Sequence, residues 1–554
     1  MVDQLDINLI VQRLTDEGCK NISLDNSSIL CDVEILGETL ALTCELTDTF
    51  PYEFPIVRLT EESYNRISPL PHVDFETGIC TFDKQICFPN WKAPESIIAD
   101  SIKKAQLILQ EGLTGSNTED YIDEFGSYWA VEAVGVVESI CEFGDLPSVF
   151  CIYYPRDEDK AYLGNTKEDL DAYLNKVGIK KRYLKDYYEC LYLPLSIPIF
   201  PPFPKTNLEM YNLLQADPVI SSFYNKELKK RLPQPIFVSF SIKNERRYLQ
   251  LFLHTKVDPG YNGFRRGHMP ACVAYARDSL KNPIYKLCID DMRQQRIFTR
   301  GGSGVTDTIN KIAILGCGSV GGYLSEALSE RGVSSFVLVD NEKLGSENIA
   351  RHLCGHKYIG KDKVLAIKDK LCKHNPNVEI VTYQQNAFNF VEKHVDVLNS
   401  CDLIFLATAN VPLEYKIMQL VQENMIHKPV VMLWVEPYIA AGHALIIQKP
   451  QDVFEELFTE EFDFKYNILK NGEMFSKKES GCQSTYIPYG AFELKRYIYD
   501  FLGYYFGEVV KKEKQGNYHY MWSGDIEYVK SLGGCIADIW KTVNCYNRNI
   551  KRID

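Results

Sequence analysis

The chain has 554 residues, which at about 150 residues per domain makes room for three or four domains. Its 45% apolar and 24% charged residues exclude global disorder, and its net charge of −13 argues against a protein that coats nucleic acid. No run of 18 apolar residues occurs, so no membrane span is expected, and the opening MVDQLDINLIVQRLTDEG lacks the basic-then-apolar pattern of a secretory signal.

Residues 1–145 alternate short apolar runs with turns, then carry helical periodicity from Ser96 to about Leu113. TFPYEFPIVRL sets Pro51 and Pro55 ahead of a strand. PHVDFETGIC follows, with Trp91 and Pro94 beyond it. These features predict a strand pair, an irregular loop presenting Cys80, and a helix packed behind. Cys80 lies two residues past Gly78, in a turn-like setting that favours exposure. Cys87 sits in ICFPNW, a flank that reads as packed.

From about residue 146 to 300 no motif stands out. Pro194, Pro198, Pro201, Pro202 and Pro204 forbid a helix there and favour extended backbone, while IFVSFSI and YLQLFLH read as strands. The runs KKRYLKD and KELKKRL read as solvated faces. A compact mixed α/β connector is expected.

Beyond residue 300 the texture alternates strand and helix. KIAILG, SFVLVD, VEIVTY, DLIFLA and PVVMLWV are candidate strands, which predicts a parallel sheet covered on both faces. Gly316, Gly318 and Gly321 form G-x-G-x-x-G between a strand and a helix, and Asp340 ends the next strand. This is the full setting of a dinucleotide-binding fingerprint. The glycines permit a tight turn and close backbone approach, and the helix start offers N–H groups to phosphate. Asp340 can accept from ribose hydroxyls.

Asn348, Arg351 and Lys363 follow the second strand, near the expected phosphate position. Hydride transfer leaves a pyrophosphate untouched and needs few donors there. Adenylation develops charge on the α-phosphate and on the leaving pyrophosphate, so these donors favour ATP. An acyl adenylate can be captured by a thiolate. Cys482, in a polar stretch ahead of a candidate helix near Ala491, fits that role, and Cys535 competes with it. Cys317, Cys354 and Cys401 sit in apolar or packed settings and read as structural. The seventeen cysteines are scattered with no C-x-x-C, which argues against a zinc ribbon and fits a reduced, cytoplasmic chain.

Residues of about 300–450 resemble the ubiquitin-activating superfamily, including bacterial adenylating enzymes of ThiF/MoeB type. The matching stretches are the Gly-rich loop, D-N-E-K-L-G-S-E-N-I-A-R-H and G-K-D-K. This resemblance implies ATP with Mg²⁺. It also exposes a departure: Ala409, in FLATAN, falls where the family has its acidic magnesium ligand. Asn410 and Asp340 are the possible substitutes, and the metal ligands stay unknown. Arg296 and Arg300 are candidates for an arginine that often completes the family's site.

The N-terminal module resembles the ubiquitin-conjugating fold, whose pattern is Y-P-x-x-P-P-x-V, then H-P-N-x-x-x-x-G-x-I-C, then W-S-P. That resemblance makes Cys80 the thioester-accepting nucleophile. It places His72 where the family has an asparagine that stabilises an oxyanion. A histidine there can donate a hydrogen bond or act as a base. Asp83 is implied as a group that orients an incoming amine.

The order of modules resembles the fused conjugating/activating proteins of bacterial CBASS anti-phage operons. The implied fold class is α/β multidomain: an α+β ubiquitin-conjugating-like module (1–145), a mixed α/β connector (146–300) and a Rossmann-like, ThiF-type adenylation domain (301–554). The implied activity is ATP-dependent activation of a protein with a free C-terminus, thioester capture and transfer to a target amine. The implied substrate is a cyclic-oligonucleotide synthase (CD-NTase), and a homodimer is implied as well. Neither nucleic acid nor membrane is an expected partner. Two other classes remain open. One is a catalytically inactive adaptor, favoured by Ala409 and the missing asparagine. The other is an NAD(P)-dependent oxidoreductase using the same glycines.

Overall fold

The computed structural model describes residues 5–553 except 26, 118, 132, 156–159, 180–186, 231–234, 243–244, 254–268, 303–308, 451–452, 462 and 479–484. The chain divides into two compact units, residues 1–170 with 182–291, and 171–181 with 292–554.

The first unit opens with a five-stranded antiparallel sheet, Lys20–Leu24, Ser28–Ile35, Glu38–Glu45, Ile56–Leu59 and Gly78–Ile79, in sequential order. Alternation sets its inner face: Ile29, Cys31, Val33 and Ile35 are buried along one strand. Leu36 and Gly37 join two of the strands with φ of 51° and 85°, the two-residue turn whose twist suits a hairpin. The helix Pro94–Thr114 lies behind, matching the expected periodicity. Pro94 opens it, Gly115 ends it in the left-handed region, and Ile98, Ile102, Ala105 and Leu109 form its buried stripe.

The rest of this unit is a closed barrel of seven strands: Ala133–Ser139, Ser148–Tyr153, Lys160–Gly164, Tyr187–Pro194, Pro235–Ile242, Glu245–Leu253 and Ile284–Asp291. Its first strand comes from the segment grouped above with the N-terminal module, and pairs in parallel with both Ile284–Asp291 and Lys160–Gly164. The strand Tyr187–Pro194 stops at its proline, and no helix forms through the proline-rich run that follows. Aromatic stacking fills the interior, with Phe150 on Tyr192 at 4.7 Å and Phe143 on Phe237 at 5.3 Å between ring centroids.

The second unit is built on an eight-stranded sheet. Its spatial order is Glu379–Tyr383, Ser335–Val339, Lys311–Leu315, Leu403–Leu406, Val430–Val435, Ala441–Ile447, Tyr518–Ser523 and Arg548–Arg552. The first five are the expected parallel strands. The last three extend the sheet antiparallel, so it is mixed rather than wholly parallel. Both faces are covered, which is why these strands read as continuous apolar runs. Ile312, Ile314, Phe336 and Leu338 belong to one core, with the helices Ser319–Glu330, Lys363–His374 and Ala491–Tyr504. Ala313, Leu315, Val337 and Val339 belong to the other, with Ala387–Lys393 and Val411–Gln422. Among the described residues no helix is long and apolar enough to cross a membrane.

Candidate active sites

The strand order reverses between Lys311–Leu315 and Leu403–Leu406, and an open α/β sheet forms its ligand crevice at such a point. The glycine loop lies there. Gly316 has φ of +92°, and a Cβ on it would fall 2.7 Å from the Ala407 carbonyl oxygen. A Cβ on Gly321 would fall 1.9 Å from the Gly316 oxygen, so helix and strand approach through bare backbone. Gly318 is different: no atom lies within 4 Å of an added Cβ, which leaves room at the start of the helix Ser319–Glu330. The unpaired N–H groups of that first turn suit a phosphate.

A bonded chain ties Asp340 and Lys363 to the glycine loop. Asp340 accepts the Cys317 N–H through Oδ2 and the Glu342 N–H through Oδ1, each at 2.7 Å. Glu342 pairs with the Lys363 ammonium, and Lys363 is buried at the start of its helix. The Asn348 side chain accepts the Gly345 N–H at 3.0 Å and fixes the short helical turn before Arg351. The Arg351 guanidinium donates to the Ile487 carbonyl at 3.3 Å and faces the Tyr489 ring, 5.1 Å from its centroid.

Sequence reasoning missed two members of this site. His352 is buried, and its Nδ1 accepts the Cys354 N–H at 3.0 Å, so Nε2–H is left to donate to the Cys317 carbonyl at 2.9 Å. Burial holds its pKa below the ordinary value, so the ring stays neutral and pins the glycine loop. Thr408 has a buried hydroxyl with no hydrogen-bond partner among the described residues, on the loop that packs against Gly316. The T-A-N stretch after the fourth strand was the available signal for Thr408, and the histidine directly after Arg351 was that for His352.

Magnesium fits less well than phosphate. Ala409 is exposed with φ of +48°, and the side-chain oxygen of Asn410 caps the helix Val411–Gln422 by accepting the Leu413 N–H at 3.0 Å. Of the two proposed substitutes for the missing acid, Asn410 is thus committed to its cap, while Asp340 accepts one N–H on each oxygen and keeps a lone pair on each. The open Gly318 and the orphan Thr408 hydroxyl suit a nucleotide phosphate.

Cys482 lies outside the described residues. Cys535 is exposed, while Cys317, Cys354 and Cys401 are buried as expected. Arg296 is exposed on the helix Gln294–Gly301, which also contains Arg300.

The second candidate site is the Cys80 loop. Asp74 accepts the Glu76 and Gly78 N–H groups at 2.9 and 2.7 Å, folding residues 74–78 into a tight turn. The Cys80 N–H donates to the His72 carbonyl at 2.9 Å, and Cys80 is exposed. Partial desolvation, then the charges of Glu124 and Asp74, raise its thiol pKa above the ordinary value. His72 has φ of +60°, and both ring nitrogens are held by carboxylates: Nε2 by Asp120 at 3.0 Å and Nδ1 by Glu124 at 3.2 Å. Its pKa is raised, chiefly by the hydrogen bond to Glu124, and the two carboxylates leave neither N–H of the protonated ring uncommitted. The Asp83 side chain accepts the Gln85 N–H at 2.8 Å. The flank of Cys87, which reads as packed, is instead exposed: Ile86 is 75% and Phe88 78% accessible, beside exposed Trp91. The loop's turns hold these apolar side chains off the core.

Comparison with known proteins gives the class first. Residues 295–482 match the ThiF family, and residues 12–135 match prokaryotic E2 family B. The chain thus has two separate segments similar to two different families, E2-type near the N-terminus and ThiF-type from residue 295. It is 25% identical over 190 residues to the "ATP-dependent ubiquitin transferase-like protein Cap2" of Vibrio cholerae, and 27% identical over 192 residues to that of Pseudomonas aeruginosa. The first match covers 33% of this chain and 32% of the relative, and the second 32% of each, so the chain spans about a third of these relatives' length. A shorter match, 34% identical over 71 residues, is to the tRNA threonylcarbamoyladenosine dehydratase of Bacillus subtilis, covering 13% of this chain and 28% of that one. Among solved structures, PaaA is similar at 17% identity with a TM-score of 0.31, covering 44% of this chain and 64% of its own. The complex of E. coli MccB with AMPCPP and MccA is similar at 23% identity with a TM-score of 0.22, covering 25% and 40%.

Proposed function

We propose that the chain activates a protein C-terminus with ATP and passes the acyl group through thiols to an amine. A carboxylate oxygen bonds to the α-phosphorus and pyrophosphate leaves. Lys363 and Arg351 meet the charge that develops there, and Asp340 and the Gly316–Gly321 loop hold the nucleotide. The Cys482 thiolate attacks the acyl carbon and AMP leaves. Exchange forms a thioester at Cys80 and returns a thiol at Cys482. A target amine then displaces Cys80. Splitting the acylation this way replaces one difficult step with several easier ones.

One observation carries this reading. A glycine loop with open Gly318 at a helix start, joined from its Cys317 N–H through Asp340 and Glu342 to a buried lysine, shares a chain with an exposed cysteine on an E2-type module. Ile487, the residue Arg351 holds, follows Cys482 by five positions, a tether of at most roughly 18 Å. The description shared by the relatives, ATP-dependent and ubiquitin transferase-like, supports the activation and transfer steps, and the remaining assignments follow from the resemblance in module order. The activated protein is a cyclic-oligonucleotide synthase, conjugation primes anti-phage signalling in the cytoplasm, and the activating-type domain forms a homodimer. Mg²⁺ accompanies ATP when bound and offsets phosphate charge.

The test is intact mass and a non-reducing gel of wild type, Cys482→Ala and Cys80→Ala with ATP, Mg²⁺ and the synthase. A thiol-labile adduct is expected in wild type, lost in Cys482→Ala and retained on the C-terminal unit in Cys80→Ala. No adduct in wild type, with ATP still bound, would overturn the relay in favour of the adaptor reading.

A further inference from the structure

The segment from Asp120 to Ala130 consists of two short helical turns between the E2-family module and the barrel. Its side chains divide by spacing. Asp120, Glu124 and Tyr128 recur every four residues and all reach the Cys80 loop. Asp120 and Glu124 hold the His72 ring from its two nitrogens. The Tyr128 hydroxyl accepts the His72 backbone N–H at 2.6 Å and donates to the second Glu124 oxygen at 2.9 Å. His72 in turn supplies the carbonyl that holds the Cys80 N–H. Phe125 and Trp129 belong to the barrel instead. Both are buried in its core, Trp129 packs on Phe203 at 5.0 Å between centroids, and its indole N–H donates to the Leu287 carbonyl at 2.9 Å.

We propose that this segment is a strap by which the barrel holds the Cys80 loop, with Asp120, Glu124 and Tyr128 as positioning residues for the nucleophile. The inference gives the barrel a task that no motif in its own sequence suggests. It rests on Cys80 being the acceptor thiol. His72 in the left-handed region is a conformation that few side chains adopt unaided, and three strap residues converge on it. The charges that act on the thiol are Glu124 from the strap and Asp74 from its own loop, and Glu124 and Asp120 also pair with the His72 ring. The strap therefore sets both where the sulfur sits and how readily it ionises.

The test reads the thiol itself. Full-length wild type, Glu124→Gln and Trp129→Phe are alkylated with iodoacetamide across a pH series, and modification of the Cys80 peptide is followed by mass spectrometry. Removing the Glu124 charge should shift the Cys80 profile to lower pH. A shift of one unit raises the thiolate fraction tenfold but lowers its nucleophilicity, so the net gain near neutral pH is about threefold. Trp129→Phe keeps the ring and loses the bond to Leu287. It should move the same profile although residue 129 belongs to the barrel core. Cys31 and Cys44, both buried in the module's core, report folding by staying unmodified. Wild-type profiles in both variants, with Cys31 and Cys44 protected, would overturn the strap. A shifted profile in a protein that forms no adduct with ATP and the synthase would leave the strap standing and sink the transfer reading.

Discussion

At the residue scale, the three fingerprint glycines do different work, and substitution separates them. Gly321→Ala drives a Cβ into the Gly316 carbonyl and should cost about 2–4 kcal/mol of stability. Gly318→Ala meets nothing in the protein, so it should leave the urea midpoint unchanged while weakening ATP binding at least tenfold by titration calorimetry. Equal loss of stability in both variants would mean that Gly318 is a turn residue and not the floor of a phosphate site. His72 carries a pH signature. Its folded pKa lies above the ordinary 6.5, so its pairing stabilises fully below that value and fades as pH rises through the folded pKa. His72→Asn tolerates the left-handed backbone and removes the charge. It should destabilise the N-terminal unit by about 0.5–1 kcal/mol at pH about 6, with the gap closing toward pH 9, as read by thermal melts. The glycine loop between its strand and helix was legible because that pattern is local in sequence. His352 and Thr408 were not, because only the fold brings the His352 ring to the Cys317 carbonyl and packs the Thr408 loop against Gly316.

At the scale of elements, the five parallel strands were legible because strands buried on both faces must be apolar throughout. The antiparallel extension was not, since RNIKR carries no apolar alternation and YHYMWS hides a histidine in the core. That histidine belongs to a buried chain of polar groups. His519 lies 3.1 Å from His443, and His443 bonds Glu436 at 2.9 Å through Nε2. Glu436 also accepts the Ile468 and Leu469 N–H groups at 2.6 and 2.9 Å, which fastens the start of the segment that leads to Cys482. Burial holds His519 neutral. Glu436→Gln points an amide N–H at one of these donors. It should cost about 2–4 kcal/mol and speed hydrogen exchange at Ile468 and Leu469 before the sheet strands respond.

For the whole molecule, the two compact units imply two calorimetric transitions in the intact chain. ATP at a hundredfold excess over its Kd should raise only the transition of the unit containing residues 292–554, by about 2.7 kcal/mol. A shift of both transitions together would mean that the units unfold as one. The module order was legible at the two ends, where motifs mark the chemistry. The barrel was not, because closure depends on strand pairings that no local pattern records, such as Ala133–Ser139 beside Ile284–Asp291.

The placement of Lys311–Leu315 inside its sheet, between Ser335–Val339 and Leu403–Leu406, also governs how the chain matures. The hairpin at Leu36 and Gly37 can zip as soon as both of its strands have left the ribosome. Ile312 must wait for Leu403, about ninety positions later, before its second edge is covered. Synthesis therefore delivers the module that carries Cys80 well before the crevice at the glycine loop has two walls, so on the proposed reading an unfinished chain holds an acceptor without an activator.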